Sequence, residues 1–182
     1  PGEQQFPEFD DARLLIVAGA GNGGQIGNGA ARVYPAAERG ALPSNPGTDI
    51  DDNLLSVGAS TRLDRLAPFS TMANVQNRDI DRWVRVVAPG ENIVSALPGG
   101  RYGVWNGTSM SAPIVAGIAA LVRSANPTLL LQDVVERIEE TGQEWDCQLP
   151  SRGITMETSR VDALCALTNN QACAPPRTAC TE

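Results

Sequence analysis

The sequence predicts an α/β fold with a mostly parallel sheet and a buried central helix. Three observations carry that prediction. Short continuous apolar runs ending in small residues recur at Leu14 to Ala18, Leu54 to Ala59 and Val84 to Ala88, the pattern of strands covered on both faces. A longer stretch, Ile114 to Val122, is apolar on nearly every face and follows a Gly-Thr-Ser turn, as a helix buried against a sheet does. Strands and helices in this order suggest covering helices packed on a sheet.

The elements follow in order. LLIVA at Leu14 ends in glycines and is the first strand. A loop rich in Gly, Pro, Asn and Asp then runs from Gly23 to Asp52; loops of that length are usually functional or disordered. LLSVGA and VRVVA are the second and third strands, and Ile93 to Ala96 is a short fourth before the turn Pro98-Gly99-Gly100. Ser109 to Ala125 is the central helix, with Thr108 or Ser109 as cap and Pro113 in the first turn, where a missing N–H costs little. Asn126-Pro127 ends it. Leu130 to Glu140 places Leu131, Val134, Val135 and Ile138 on one face of a second helix, with Gly142 as its C-cap. Val161 to Leu167 is a short last helix. No internal repeat or second domain is visible.

Composition excludes several functions. The net charge is −7 over 182 residues, and all fourteen basic residues are arginine without a basic stripe, so nucleic acid is not an expected partner. No apolar run is expected to span a bilayer, and the first ten residues lack the pattern of a signal peptide. Histidine is absent, which removes a histidine base from the chemistry available to these 182 residues. Cys147, Cys165, Cys173 and Cys180 lie in the last 36 residues with no C-x-x-C pair. Zinc is therefore a poor reading, and disulfides in an exported protein, secreted or periplasmic, a better one. Four cysteines allow three pairings, and sequence does not choose among them.

Two segments can carry chemistry. Gly19-Ala20-Gly21-Asn22-Gly23-Gly24 follows a strand and matches G-x-G-x-x-G, the dinucleotide fingerprint. That match lacks its context: no helix pattern opens there to hold a pyrophosphate. In Asn106-Gly107-Thr108-Ser109-Met110-Ser111-Ala112-Pro113, a serine sits at the N-terminus of an apolar helix. Free N–H groups and positive potential there would stabilise an oxyanion formed when Ser109 attacks a carbonyl. The plain alternative is that Ser109 only caps the helix.

GTSMSAP followed by IVAGIAALV resembles the nucleophile segment of the subtilase family of serine proteases. VAGAGNGG, from Val17 to Gly24, resembles the family's oxyanion-hole segment. VVAPGENIVSALPGGRYGVWNGTSMSAP resembles its run from an A-P-G turn through a hairpin to the serine, and LLSVGAS the strand between. The resemblance spans about Leu14 to Leu167. It implies the C-terminal half of a subtilisin-like three-layer fold, with residues 1–167 in the peptidase domain and 168–182 a cysteine-containing tail.

The resemblance also implies roles. Ser109 is the nucleophile of a serine endopeptidase working through an acyl-enzyme, and Asn22 donates to the oxyanion. Thr108 lies near the same oxyanion. Gly19, Ala20 and Gly21 form one wall of the substrate pocket. Val33, Tyr34 and Pro35 lie at its floor, with a cis bond before Pro35. The family's aspartate and histidine precede the asparagine segment, so an N-terminal segment of the same protein is the expected partner besides a peptide or protein substrate. Without it the chain is expected to be inactive, with a large exposed apolar patch. The other readings are a catalytically dead subtilase-like interaction module and a nucleotide binder. No cofactor is required. Asp49, Asp51 and Asp52 in the loop Gly40 to Asp52 could hold a structural calcium, though a solvated acidic loop is the simpler reading because no ligand spacing is met.

Overall fold

The structure, a computed structural model, describes residues 14–24, 33–37, 54–71, 84–149 and 154–171, without the side chains of 146–149 and 154–157. Among the described residues ten elements follow one another: β1 (Ile16–Gly19), β2 (Leu54–Ser60), β3 (Val86–Pro89), β4 (Ile93–Leu97), β5 (Arg101–Trp105), α1 (Thr108–Ala125), α2 (Leu131–Glu140), β6 (Gln143–Leu149), β7 (Ile154–Arg160) and α3 (Ala163–Thr168). The main sheet has the order β1-β2-β3-β7-β6. Its first four strands are parallel, and β6 closes it antiparallel to β7. β4 and β5 form a separate hairpin.

β2 is buried along its whole length, as its unbroken small and apolar sequence requires. Leu55 and Val57 join Val86, Ala88 and the α1 side chains Val115, Ile118, Ala119 and Val122 in the main core, which α2 completes with Val134, Val135 and Ile138. Both serines of β2 are buried. Ser56 Oγ accepts the Arg85 N–H at 3.1 Å, the Ser60 hydroxyl has no partner among the described residues, and the Ala59 N–H donates to Ser70 Oγ of the following loop. Arg85 also pairs through its guanidinium with the Glu139 carboxylate, joining the start of β3 to the end of α2.

Several boundaries differ from the sequence reading, each for a physical reason. α1 begins at Thr108, with Gly107 rather than Thr108 or Ser109 at the N-cap and no side-chain cap from that residue. α1 is also not buried on every face: Ser111, Ala112, Val115, Ile118, Ala119 and Val122 face inward, while Ala116, Gly117, Ala120 and Leu121 are exposed. By length and composition alone α1 could cross a membrane, contrary to the expectation that no run could, yet its inward face is seated on β1, β2 and β3. Thr141, in a right-handed conformation, caps α2 in place of Gly142. Gly142 is small because a Cβ there would lie 2.7 Å from Ser159 Cβ. The last helix starts at Ala163, where the Asp162 carboxylate accepts the Cys165 N–H at 2.9 Å. β5, β6 and β7 were not read as strands from residue pattern.

Cys165 is fully buried and disulfide-bonded. Cys173, Cys180, the Cys147 side chain and the loop Gly40 to Asp52 with its aspartates lie outside the described residues.

The joint between β3 and α1 sets the position of the Ser109 turn. The Gly90 N–H donates to Ser60 O at 2.9 Å, and the Gly107 N–H donates to Gly90 O at 2.8 Å. Inside α1, the buried Ser111 hydroxyl donates to Ala88 O at 3.0 Å and approaches Pro89 O at 3.2 Å. A Cβ on Gly90 would lie 2.6 Å from Ala59 Cβ and 2.9 Å from Gly107 O. Gly90→Ala is therefore expected to destabilise the protein by about 1–3 kcal/mol, as overpacking of a closed core does, read as a lower midpoint of chemical denaturation.

Candidate active site at the N-terminus of α1

β1 and α1 bring the two sequence-predicted segments together. β1 ends at Gly19, where a Cβ would stand 3.0 Å from the Thr108 carbonyl and its Oγ1. The loop then turns over the start of α1. The Gly21 N–H donates to Thr108 Oγ1 at 3.0 Å, and the Thr108 N–H donates to Asn22 Oδ1 at 2.9 Å. The Thr108 hydroxyl lies 3.3 Å from the same Oδ1 and is its donor. Asn22 thus supplies across space the cap that Gly107 cannot, filling one of the unsatisfied N–H positions of a helix start.

That arrangement orients the amide. With Oδ1 occupied by two donors, Asn22 Nδ2 is the end left to donate outward. Asn22 is exposed, as is Ser109 one residue beyond the N–H it caps, whereas Thr108 between them is buried. In the first α1 turn the Thr108 N–H donates to Asn22 Oδ1 and the Met110 N–H to Gly107 O at 3.0 Å, and the macrodipole adds positive potential at Ser109. An outward amide donor, an exposed hydroxyl and a helix N-terminus therefore share one small region.

The remaining sequence-predicted residues gather on the same side. Ala20 is fully buried, donates its N–H to Val57 O at 2.8 Å and packs with Ala36, Ala37 and Val84. Val33 begins the turn, Tyr34 is exposed, and the Tyr34–Pro35 bond is cis. Gly21 has φ 101°, and a Cβ there would lie 2.7 Å from Val33 Cγ2. The resemblance makes Gly19 to Gly21 one wall of a substrate pocket; independently of any substrate, Gly19 and Gly21 are required by the close approach of Thr108 and Val33. The dinucleotide reading gains nothing, because the described loop folds onto Thr108 and residues 69–71.

Gly90, Gly107, Ser111 and Thr71 hold this site in place and were not singled out in advance. Thr71 and Ser111 act through main-chain groups, a pattern that leaves no residue spacing to read. Gly107 was legible only as part of a motif: with φ 154° it sits 3.3 Å, measured from a Cβ placed there, from Asn22 Nδ2.

Comparison with known proteins agrees with the geometry. The model of the subtilase family, peptidase S8, matches residues 4–163. Subtilisin from Bacillus pumilus is 38% identical over 128 residues, covering 70% of this chain and 39% of that protein. A thermophilic serine proteinase from Bacillus sp. (strain AK1) is 32% identical over 154 residues, covering 85% of this chain and 31% of that protein. The chain thus spans well under half the length of these curated relatives. Among solved structures, the self-cleaved protease domain of PatA aligns with a TM-score of 0.60 and 28% identity, over 88% of this chain and 51% of that one. The Prenylagaramide maturation protease PagA aligns with a TM-score of 0.63 at 24% identity, over 88% of this chain and 52% of that one, a likeness of fold.

Proposed function

The chain belongs to the subtilase family of serine proteases, and from that premise we propose that it carries the nucleophile and oxyanion-binding half of a serine endopeptidase. Ser109 Oγ attacks the carbonyl carbon of a peptide bond, and the carbonyl oxygen becomes an oxyanion. Asn22 Nδ2 and the Ser109 N–H donate to that oxygen. Both are fixed before the reaction, so stabilising the new charge requires no reorganisation. The tetrahedral intermediate then collapses, breaking the peptide C–N bond, and the amine leaves with the proton that the base took from Ser109. Water hydrolyses the acyl-enzyme through the same base, releasing the carboxylic acid and restoring the Ser109 hydroxyl. The carrying observation is the Asn22 amide, whose oxygen accepts the Thr108 N–H at 2.9 Å, which leaves its nitrogen as the end able to donate at the start of α1.

Ser109 needs a base to take its proton, and this sequence has no histidine. In the proposed enzyme the aspartate and histidine come from an N-terminal segment of the same protein. β1 supports a docking place for it. β1 is at the edge of the described sheet, and its flank carries Leu14 at 55% and Ile16 at 37% exposure. That edge would accept a further strand, and the segment would complete the substrate pocket whose wall includes Gly19 to Gly21. The disulfide at Cys165 is consistent with a secreted or periplasmic enzyme.

An active-site serine probe tests the proposal. A fluorophosphonate is expected to leave the 182-residue chain unlabelled and to label Ser109 once the upstream-encoded segment is added. Failure to label although that segment carries an aspartate and a histidine and assembles stably would favour an interaction module without chemistry.

A further inference from the structure

We infer that Thr71 is a positioning residue for Asn22, fixing the oxyanion donor from both sides of its loop; the inference rests on the protease reading above. Asn22 is flanked by Gly21 and by Gly23-Gly24, a sequence with high backbone freedom. An exposed amide in such a loop would lose its aim unless something held the flanking peptides.

Thr71, 48 residues beyond Gly23 in sequence, meets both flanks. Its N–H donates to Gly21 O at 2.9 Å, and its Oγ1 accepts the Gly23 N–H at 3.1 Å. One residue therefore closes a bracket around Asn22. A neighbouring bond, Gly24 N–H to Phe69 O at 2.8 Å, extends it. Thr71 is 1% exposed, so no water competes for those bonds.

The bracket is itself anchored. Ser70 Oγ accepts the Ala59 N–H of β2 at 2.9 Å, and the Ser70 hydroxyl donates to Thr71 O at 3.3 Å. The Ser70 N–H donates to Ala67 O and the Ala67 N–H to Ala59 O. A rigid strand thus reaches Asn22 through Ser70 and Thr71, while Thr108 holds its amide oxygen from the opposite side. The main-chain bond from Thr71 survives substitution; the bond from Gly23 to its hydroxyl does not. The side chain is therefore the part that mutation can isolate.

Thr71→Val in the full-length protease keeps the shape and removes only the acceptor. It is expected to lower kcat about tenfold while KM changes by less than about twofold, since a displaced donor weakens the transition state more than the ground state. Thr71→Ser restores the acceptor and is expected to return kcat to within about twofold of wild type. In an Asn22→Ala background, Thr71→Val is expected to cost less than about twofold, because the donor it positions is gone. Active-site titration normalises each variant to folded enzyme. A kcat for Thr71→Val equal to wild type, or the same tenfold loss with and without Asn22, would overturn the inference and leave Thr71 a fold residue only. If Asn22→Ala itself retains nearly full kcat, the oxyanion assignment fails, and the inference with it.

Discussion

Ser109→Ala in the full-length protease is expected to abolish fluorophosphonate labelling and to lower kcat by about 10⁶-fold. That is the scale reached in subtilisin, a member of the same family, when its serine is removed. In the proposed mechanism the substitution deletes the oxygen that forms the acyl bond, so the oxyanion donors left in place would act on water alone. Folding should be nearly untouched. Ser109 is exposed, and Gly107 rather than Ser109 is the N-cap, so no buried bond is lost. Circular dichroism and thermal midpoint close to wild type, with activity gone, are the expected pair of results. A serine-independent turnover would show that another nucleophile does the chemistry.

Asn22→Ala is expected to lower kcat by about 10²–10³, the cost of removing the equivalent donor in subtilisin. Here the structure separates two functions of one side chain. Asn22 Nδ2 is the outward donor, and Oδ1 caps Thr108. Alanine removes both, so a stability loss of about 1 kcal/mol should accompany the kinetic loss. Asn22→Asp keeps an acceptor for the Thr108 N–H and adds a negative charge beside the helix start, which the macrodipole favours. It removes the donor, however, and sets a charge where the oxyanion forms. Aspartate should therefore equal or exceed alanine in kinetic damage while keeping wild-type stability. Steady-state kinetics with denaturation curves on both variants checks this, and equal stability losses would show that the cap contributes nothing.

How much of this was legible in the sequence depends on where the information sits. β2 and β3 are written in continuous apolar runs because both of their faces are covered: β2 is buried at all seven positions and β3 at three of four, whereas β1 carries the same kind of run although it lies partly exposed at the edge of the described sheet. β6 (QEWDCQL) and β7 (ITMETSR) mix charged and apolar residues; β6 is an edge strand, and a partly polar strand in an antiparallel pair gives no clean period. Trp145 is fully buried between acidic neighbours in sequence, so no local pattern announces it. At the proposed site, Ser109, Thr108 and Asn22 can be named from the sequence because they lie in compact motifs whose resemblance is specific, and the structure brings Thr108 and Asn22 into contact. Thr71 was not: its partners across the loop are one carbonyl and one N–H that any residue carries, and its hydroxyl gains meaning only when the loop at Gly21 is folded against it. The helix start was misplaced by one residue for a related reason, since its cap comes from a side chain 86 residues away.

The bond between Asn22 and Thr108 has one more consequence. It fastens the Asn22 loop to the first peptide of α1, so a displacement of that helix end carries the amide along. In the proposed enzyme the spacing between attacking oxygen and receiving amide is then set at one hydrogen-bonded joint, which Thr71 and Ser70 in turn tie to β2. A substrate would meet two groups already held apart at a preset gap, with the sheet as their common footing.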